Sequence, residues 1–448
     1  MSMSKRAALP SFLLAGTLLV TSCSGGDAGD LGNAAASTES IDGIELPEGV
    51  EIDFWHIQAT IYGEAITEMV QEFNATNEWG IVVNESFKGS YQELNQAVRA
   101  SLAGGGAPDV SMAYENDTLE YVANDVIVPL DPYIESEKYG VPEEDMADMV
   151  DGVLARQQVD AYNGSTLSWP HGNSSMGMYY NADLFAEAGI DAPPADWDEF
   201  LDQARQMKDE TGLPYSAMGT GKNGIYYNML RSKGITPYDP GAATTEFTSP
   251  ESIESLELLA LLFEEELAYT AADTEQEFTN ERTATELGTT ARTSTKIEQI
   301  QDKFQWSVAL TPQETAEPIT QLYGGNHVIL SSDDPEQELA SWLFMRWFAD
   351  TDAQSIYAAR TGYSPAVESA LDTELLSTNY EENPQKAAAF DNVFVNAQIM
   401  PPTAAGNAID DMVTGIVEEV VLGRLTPQEA AERMDAEATS LLASAPQN

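Results

Sequence analysis

Hydrophobic and polar residues follow regular patterns once the chain passes residue 50. Residues 51–57, EIDFWHI, alternate with the period of a half-buried strand, and Ile66, Met69, Val70 and Phe73 then recur at helical spacing. Another strand, a helix closed by glycine and a third strand follow at 80–87, 91–106 and 107–114. This order predicts a mostly parallel sheet covered by helices.

A second run of the same kind begins after residue 181. Asp196 and Glu199 form a capping-box pattern, an apolar stripe follows, and Gly212 ends the predicted helix. Further helices are predicted around 251–266, 335–349, 353–359 and 426–442. Two α/β lobes are therefore expected, with a ligand at the carboxyl ends of the strands and between the lobes.

The first 22 residues have the pattern of a secretory signal peptide. Lys5 and Arg6 precede the apolar run FLLAGTLLV, which is shorter than the roughly 20 residues of a permanent bilayer span. Cys23, the only cysteine, ends the stretch VTSC, which looks like a bacterial lipobox. We predict a signal peptide at 1–22, lipidation of Cys23 and a flexible tether at 23–48. An ordinary signal peptide with an incidental thiol is the alternative.

Composition indicates a globular protein with a very acidic surface. Apolar residues make up 43% of the chain and the formal net charge is −54. Removing Lys5 and Arg6 with the signal peptide leaves 18 basic against 74 acidic residues, or −56. Such a surface argues against nucleic acid and anionic headgroups as partners, so the lipid anchor is the only membrane contact expected. An anionic ligand would need a local positive pocket.

Motifs for catalysis, cofactors and metals are missing from the sequence. His56, His171 and His327 form no HExxH pattern, and neither a GxSxG motif nor a Cys/His cluster occurs. GTGKNG at 219–224 lacks the first glycine and the Ser or Thr of a phosphate-binding loop. We therefore expect no enzyme, no cofactor and no metal.

Eight segments occur in a fixed order along nearly the whole predicted mature chain. They are IDFWH (52–56), EFNATN (72–77), FKGSYQEL (87–94), GGGAPDVSMAYE (104–115), WPHGNSSMGMYYNADLFAEAGI (169–190), GGNHVI (324–329), TGYSP (361–365) and TPQEA (426–430). Together they resemble the extracellular solute-binding proteins of ABC importers, family 1. Within that family they are similar to the branch that binds glycerol-3-phosphate.

The resemblance implies a type II periplasmic-binding-protein (Venus-flytrap) fold. In that α/β fold, hinge strands join two lobes and the ligand lies in the cleft. We expect residues 49–168 plus 289–324 in the N-terminal lobe and 169–288 plus 325–448 in the C-terminal lobe. By motif position the resemblance also implies ligand contacts at Tyr91, Glu115, Ser174, Thr289, Gly325 and Tyr363.

Two features depart from the glycerol-3-phosphate branch. That branch uses an arginine for the phosphate before the last helix, and the corresponding residue here is Asp410. No Arg or Lys lies between Pro402 and Arg424, and the branch's tryptophan pair is missing near AMGTGKNGIYYN. A phosphate ligand would need another cation, for which the candidates are Lys88, Lys222, Arg231 and Arg292.

The chemistry of the candidate residues suits a polyhydroxylated ligand. Carboxylate and amide groups pair with hydroxyls, and aromatic rings pack on the C–H face of a sugar. The candidate set is completed by Trp55, His56, Asn173 and Asn326. Structural roles are the alternatives: Trp55 and Trp169 suit a core equally well, and the histidines could cap strand ends.

These inferences converge on a receptor for an ABC importer. We expect a monomer that binds a sugar, oligosaccharide or polyol at the outer face of the membrane and delivers it to permease subunits. Glycerol-3-phosphate or a glycerophosphodiester is the alternative ligand. An anchored polysaccharide hydrolase and a surface adhesin are the alternatives from other classes.

Overall fold

The computed structural model of the chain describes residues 37–159, 162–219, 221–332 and 334–445. The predicted signal peptide and Cys23 lie outside these residues. The strands within them are β1 Glu51–His56, β2 Val82–Phe87, β3 Val110–Ala113, β4 Gln158–Val159, β5 Ser165–Thr166, β6 Trp169–Pro170, β7 Ser174–Asn181, β8 Ser216–Met218, β9 Tyr238–Asp239, β10 Thr244–Thr245, β11 Ala268–Thr270, β12 Thr285–Thr289, β13 Trp306–Leu310, β14 Thr320–Tyr323, β15 Asn326–Ile329 and β16 Ala397–Gln398.

The α-helices of the same residues alternate with these strands. They are α1 Thr38–Asp42, α2 Thr60–Thr76, α3 Tyr91–Gly104, α4 Glu115–Ala123, α5 Asp131–Ile134, α6 Glu143–Ala147, α7 Asp151–Gln157, α8 Ala182–Ala188, α9 Trp197–Thr211, α10 Asn223–Ser232, α11 Pro250–Glu264, α12 Thr274–Thr279, α13 Thr293–Ile300, α14 Pro335–Phe348, α15 Thr351–Thr361, α16 Glu374–Glu382, α17 Pro384–Ala388, α18 Gly406–Val421 and α19 Pro427–Ser444.

The first lobe is built on a five-stranded sheet of order β2-β1-β3-β15-β6. β1 runs parallel to β2 and β3, as the sequence predicts, and β15 is antiparallel to β3. Ile52 and Phe54 are buried while Glu51 and Asp53 are exposed, which is the alternation expected for a covered sheet face. Phe54 and Phe73 of α2 both pack against Phe344 of α14, in the core of this lobe.

The second lobe is built on a seven-stranded mixed sheet around β7. β7 pairs antiparallel with β12 on one side and with β13 and β14 on the other. Because both edges and both faces are covered, nearly every residue of β7 is buried. Helices α9, α10, α11, α18 and α19 supply the second core, which includes Phe200, Leu256 and Ile409. The two-lobed α/β fold class is therefore confirmed.

The lobe boundaries differ from the predicted ones. Residues 289–324 were expected in the first lobe, yet β13 and β14 pair with β7 of the second sheet. Residues after 325 were expected in the second lobe, yet β15 pairs with β3, and α14 and α15 pack in the first core. The chain does cross between the lobes at Gly324 and Gly325, but it runs there from the second lobe to the first, and the prediction had it run from the first to the second. Strand patterns indicate buried strands and do not identify the sheet that receives them.

Helix α1 lies within the segment predicted to be a flexible tether. Ile41 is 1% exposed and packs in the first core, and the Ser136 hydroxyl donates a hydrogen bond to Asp42 at 2.6 Å. A capping box at Ser37 and Ser40 begins the helix. Residues 37–48 therefore belong to the folded first lobe, and the tether prediction is wrong for this part.

Two chain crossings lie side by side between the lobes. One joins β6 to β7 through residues 171–173, and the other joins β14 to β15 through Gly324 and Gly325. Gly324 has φ +126°, and a Cβ there would lie 1.9 Å from the carbonyl oxygen of Gly172. Only glycine fits such a close approach of two backbones. These crossings form a compact hinge.

Candidate functional site

A cavity of about 370 Å³ lies between the two lobes. Tyr114, Glu115 and Asn116, which directly follow β3, form its wall on the first lobe. The opposite wall comes from β14, α10, α18 and the loop 399–402. A second cavity, of about 270 Å³, lies within the first lobe beside Trp79 and does not reach the cleft. The interlobe cavity is at the carboxyl end of β3, where α/β sheets bind ligands.

The first-lobe wall is held in place by aromatic stacking. Tyr91 begins α3, and its ring stacks on Tyr114 with centroids 3.7 Å apart. A Cβ at Gly325 would lie 2.1 Å from the Tyr91 hydroxyl, so this glycine is needed for the tyrosine to approach the hinge. Tyr91 and Gly325 thus support the cavity wall from behind.

Glu115 on this wall is paired with the buried Arg156. Its Oε1 lies 3.0 Å from Arg156 Nε and accepts a hydrogen bond from Asn326 at 3.1 Å. The guanidinium also donates to the carbonyl oxygens of Tyr323 and Gly325 at 3.2 and 3.1 Å. Arg156 therefore neutralises the carboxylate and joins it to both sides of the hinge crossing.

The second-lobe wall holds a carboxylate with no ion pair among the described residues. Asp410, on α18, lines the cavity with Tyr227, Tyr238 and Tyr323; burial raises the pKa of all three, and the Asp410 charge adds to this rise. Burial raises the pKa of Asp410 to about 6, partly offset by the nearby Tyr227 hydroxyl and Asn223 amide. At neutral pH the carboxylate is mostly ionised.

Two polar atoms of β14 on the same wall have no partner within the described chain. They are Gln321 Oε1 and Tyr323 Oη, and both are inaccessible to solvent. Both side chains line the cavity. Since buried polar groups are nearly always hydrogen-bonded in proteins, these atoms fit a site whose partners come from a bound solute.

Eight of the ten sequence-predicted residues fall into three groups in the structure. Glu115 and Thr289 line the interlobe cavity. Tyr91, Gly325 and Asn326 support its wall, as described above. Asn173, Ser174 and Tyr363 lie at the neighbouring crossing: Ser174 pairs with Tyr323 in the sheet, and Asn173 forms a backbone bridge with Ser364, beside Tyr363.

Two predicted residues lie away from the cavity. Trp55 is covered by the ammonium of Lys88, 3.8 Å from the ring centroid. His56 is buried and bonds to Glu85 at 2.6 Å, and burial lowers its pKa. Neither lines the cleft in this conformation. Trp169 is 1% exposed and belongs to the first core, which favours the structural alternative for that residue.

Sequence reasoning missed several residues of the site. Tyr114 directly precedes the predicted Glu115, but Tyr227, Tyr238 and Gln321 carried no motif. Arg156 stood in no recognised segment and meets Glu115 only through the tertiary fold. Asp410 was identified only as the position where the glycerol-3-phosphate branch has an arginine.

Among the described residues that line the cavity, none is a lysine or arginine. The candidate cations have other partners: Lys222 pairs with Glu418, Arg231 donates to Thr236 and Gln398, and Arg292 lies near Glu275. The local positive pocket that an anionic ligand would need is therefore missing among the described residues that line this cavity.

Two α/β lobes with a hinge and a polar, aromatic cleft between them define a solute-binding protein of the Venus-flytrap type. The chain belongs to the bacterial extracellular solute-binding protein family, whose profile matches residues 68–388. This confirms the resemblance stated from the sequence. Since the family and its relatives are binding proteins, the prediction of a non-enzyme is also confirmed.

A relative of known function supports the same family. The chain is 25% identical to the sn-glycerol-3-phosphate-binding periplasmic protein UgpB of Escherichia coli (strain K12) over 403 residues, covering 85% of this chain and 90% of UgpB. The family and this relative act outside the cytoplasm. No helix in the described part of the chain has the length and hydropathy to cross a membrane.

Solved structures with the same fold bind different solutes. UgpB from Mycobacterium tuberculosis, in complex with glycerophosphocholine, superposes with a TM-score of 0.78 at 20% identity, covering 88% of this chain and 98% of that one. The cyclic α-maltosyl-1,6-maltose binding protein from Arthrobacter globiformis gives 0.75 at 21% identity, covering 88% and 99%. At these identities the likeness establishes the fold alone.

Proposed function

We propose that this protein is the receptor of an ABC importer and captures a sugar or oligosaccharide between its lobes. The observation that carries the proposal is the composition of the interlobe cavity. Tyrosine rings, amides and carboxylates line it, two buried polar atoms lack partners, and no cation is present among the described lining residues. Such walls match the hydroxyls and C–H faces of a carbohydrate.

Glycerol-3-phosphate or a glycerophosphodiester is the second candidate. Similarity to UgpB favours it, since that relative binds sn-glycerol-3-phosphate. The cavity argues against it, because the place of the branch's arginine is taken by Asp410 and a phosphate would meet uncompensated negative charge.

Isothermal titration at pH 7.0 separates the two candidates. The panel comprises monosaccharides, di- and trisaccharides, polyols, glycerol-3-phosphate and glycerophosphocholine. We expect binding within the carbohydrate set, weakened by Glu115→Gln and unchanged by Glu298→Gln, a substitution outside the cavity. Binding of the phosphate compounds alone would overturn the proposal.

We also propose that Cys23 carries the lipid that holds the receptor at the outer face of the membrane, where it works as a monomer with permease subunits. The lipobox-like stretch VTSC supports this. Expression of the full chain followed by detergent phase partitioning tests it. The wild type should enter the detergent phase and Cys23→Ala should not; equal partitioning would contradict the anchor.

A further inference from the structure

The two carboxylates of the cleft differ in how their charge is compensated. Glu115 has a counter-ion in Arg156 at 3.0 Å. Asp410 has none among the described residues, although it lines the same cavity. Its neighbour Asp411 is exposed and acidic as well. The cavity therefore carries one uncompensated negative charge, on its second-lobe wall.

Aromatic rings surround this charge. Tyr227 comes from α10, Tyr238 from β9 and Tyr323 from β14, and each lines the cavity and lies within the field of the Asp410 carboxylate. Tyr227 and Tyr238 are 2% and 3% exposed, so their positions are fixed by packing. An anion next to tyrosine rings suits a bound organic ammonium group, because the anion pairs with the positive charge and the rings attract cations.

We propose that the solute is a carbohydrate bearing a cationic amino group, and that this group lies against Asp410 among the three tyrosines. The inference rests on the proposed carbohydrate function and narrows it to amino sugars. The amine supplies the counter-ion that the fold leaves out, while Gln321 Oε1 and Tyr323 Oη pair with hydroxyls of the same molecule. A phosphate is disfavoured by the same charge.

Matched sugar pairs that differ only in carrying an amino group instead of a hydroxyl at C2 of each sugar residue test this inference. Suitable pairs are glucosamine with glucose, galactosamine with galactose, and the β-1,4-linked glucosamine disaccharide with cellobiose, titrated at pH 7.0 into the full folded chain. In the wild type the amine member of the pair that binds should be at least about tenfold tighter than its neutral partner. Asp410→Asn should abolish that preference, and Asp411→Asn should keep it.

The pH dependence provides a second readout that does not depend on a variant. Below pH 6 Asp410 becomes protonated while the amine stays charged, so the preference should shrink between pH 7.0 and pH 5.0. The other titratable groups facing Asp410 do not produce this change: the three tyrosines have raised pKa values, and Asp411 is exposed. Glu115 lies on the opposite wall and is paired with Arg156.

The outcomes separate this inference from the proposed function. If neutral sugars bind as tightly as the matched amino sugars, the proposed contact between the amine and Asp410 is wrong, while the proposed carbohydrate-binding function is unaffected. A preference that persists in Asp410→Asn would also overturn that contact. Binding of phosphate compounds alone, or of none of the probes, would overturn both.

Discussion

At the residue scale, the binding role proposed for Asp410 comes with a cost in stability. Burial raises its folded-state pKa from 3.8 to about 6, so the folded state binds a proton more tightly than the unfolded state. Its stabilising contribution is present below pH 3.8 and is lost as the pH rises through 6. Asp410→Asn should therefore increase the free energy of unfolding by up to about 3 kcal/mol at pH 7.5 and by little at pH 4.

Urea unfolding at pH 7.5 and pH 4 measures this difference in the free energy of unfolding. Asp411 is exposed, so Asp411→Asn is the control and should leave the free energy of unfolding unchanged at both pH values. A gain for Asp410→Asn that is the same at pH 7.5 and pH 4 would show that the carboxylate charge is not its cause. An increase in the free energy of unfolding at pH 7.5 alone is the expected result, because a buried binding-site charge without a counter-ion usually lowers the stability of the fold.

The buried pair His171 and His327 should make the protein sensitive to acid. His171 Nδ1 and His327 Nε2 are 2.8 Å apart, and burial lowers the pKa of His327 from 6.5 to about 3 and that of His171 well below 6.5. Between pH 6.5 and 3 the unfolded chain binds protons that the folded chain does not. Stability is therefore full above pH 6.5 and falls as the pH is lowered, by up to about 1.4 kcal/mol per pH unit for each histidine.

Comparison of wild type with His327→Gln isolates the effect of the pair, because the groups other than His171 titrate alike in both proteins. The variant should be less stable at pH 7, owing to the lost contact with His171, but its stability should decline less steeply from pH 6.5 to pH 4.5. Parallel curves in urea unfolding would exclude the histidine pair as the origin of acid sensitivity.

The site could be predicted only in part from the sequence, for a reason visible in single residues. Glu115 ends a recognisable strand segment, so position alone indicated a cleft residue, and the structure places it on the cavity wall. Arg156 and Tyr238 reach the site through pairings between distant parts of the chain. No local pattern encodes such pairings.

At the element scale, α4 and α18 form a contact between the lobes. The amide of Asn407 on α18 donates to Asp117 on α4 at 2.9 Å, and the backbone N–H of Thr403 donates to Asn116 at 3.3 Å. A Cβ at Gly406 would lie 2.1 Å from the Asn116 side chain. The conformation described here is one in which these helix ends touch across the cleft.

Gly406→Ala should therefore favour a more open arrangement of the lobes. The added methyl displaces the Asn116 side chain and with it the hydrogen bond from Thr403, at a cost to the closed contact of about 1 kcal/mol. Small-angle scattering should give a larger radius of gyration than for the wild type. Gly415→Ala on the same helix is the matched control, because its methyl meets nothing within 4 Å and should leave the radius unchanged. A radius equal in both variants would contradict the role of this contact.

Elements with local signals were the best predicted. The last helix begins at Thr426 with a capping box to Glu429, and α9 begins at Asp196 with Gly212 at its end, as their sequences indicate. Strand membership was predicted poorly beyond β1 to β3. β13 and β15 have similar apolar patterns, and only their pairing with β7 or β3 decides the lobe.

At the scale of the whole molecule, the net charge of −54 should make stability depend on salt. Like charges repel more in the compact folded state than in the extended chain, and salt screens this repulsion over about 10 Å at 0.1 M. The thermal midpoint should rise between 0.02 and 0.5 M NaCl. KCl at equal ionic strength should give the same rise. A flat or falling midpoint would mean that the acidic groups are already well separated.

The link between Glu115, Arg156 and the hinge limits how this receptor can evolve new specificity. The Arg156 side chain is 1% exposed, so replacing Glu115 would leave a buried guanidinium without its counter-ion, at a cost of about 3–5 kcal/mol. Homologues that bind other solutes are therefore expected to keep Glu115 and to vary at Asp410 and at the tyrosines around it. Among such homologues, the residues of the second-lobe wall should vary with the bound solute, whereas Glu115 on the first-lobe wall should stay constant because the fold requires it.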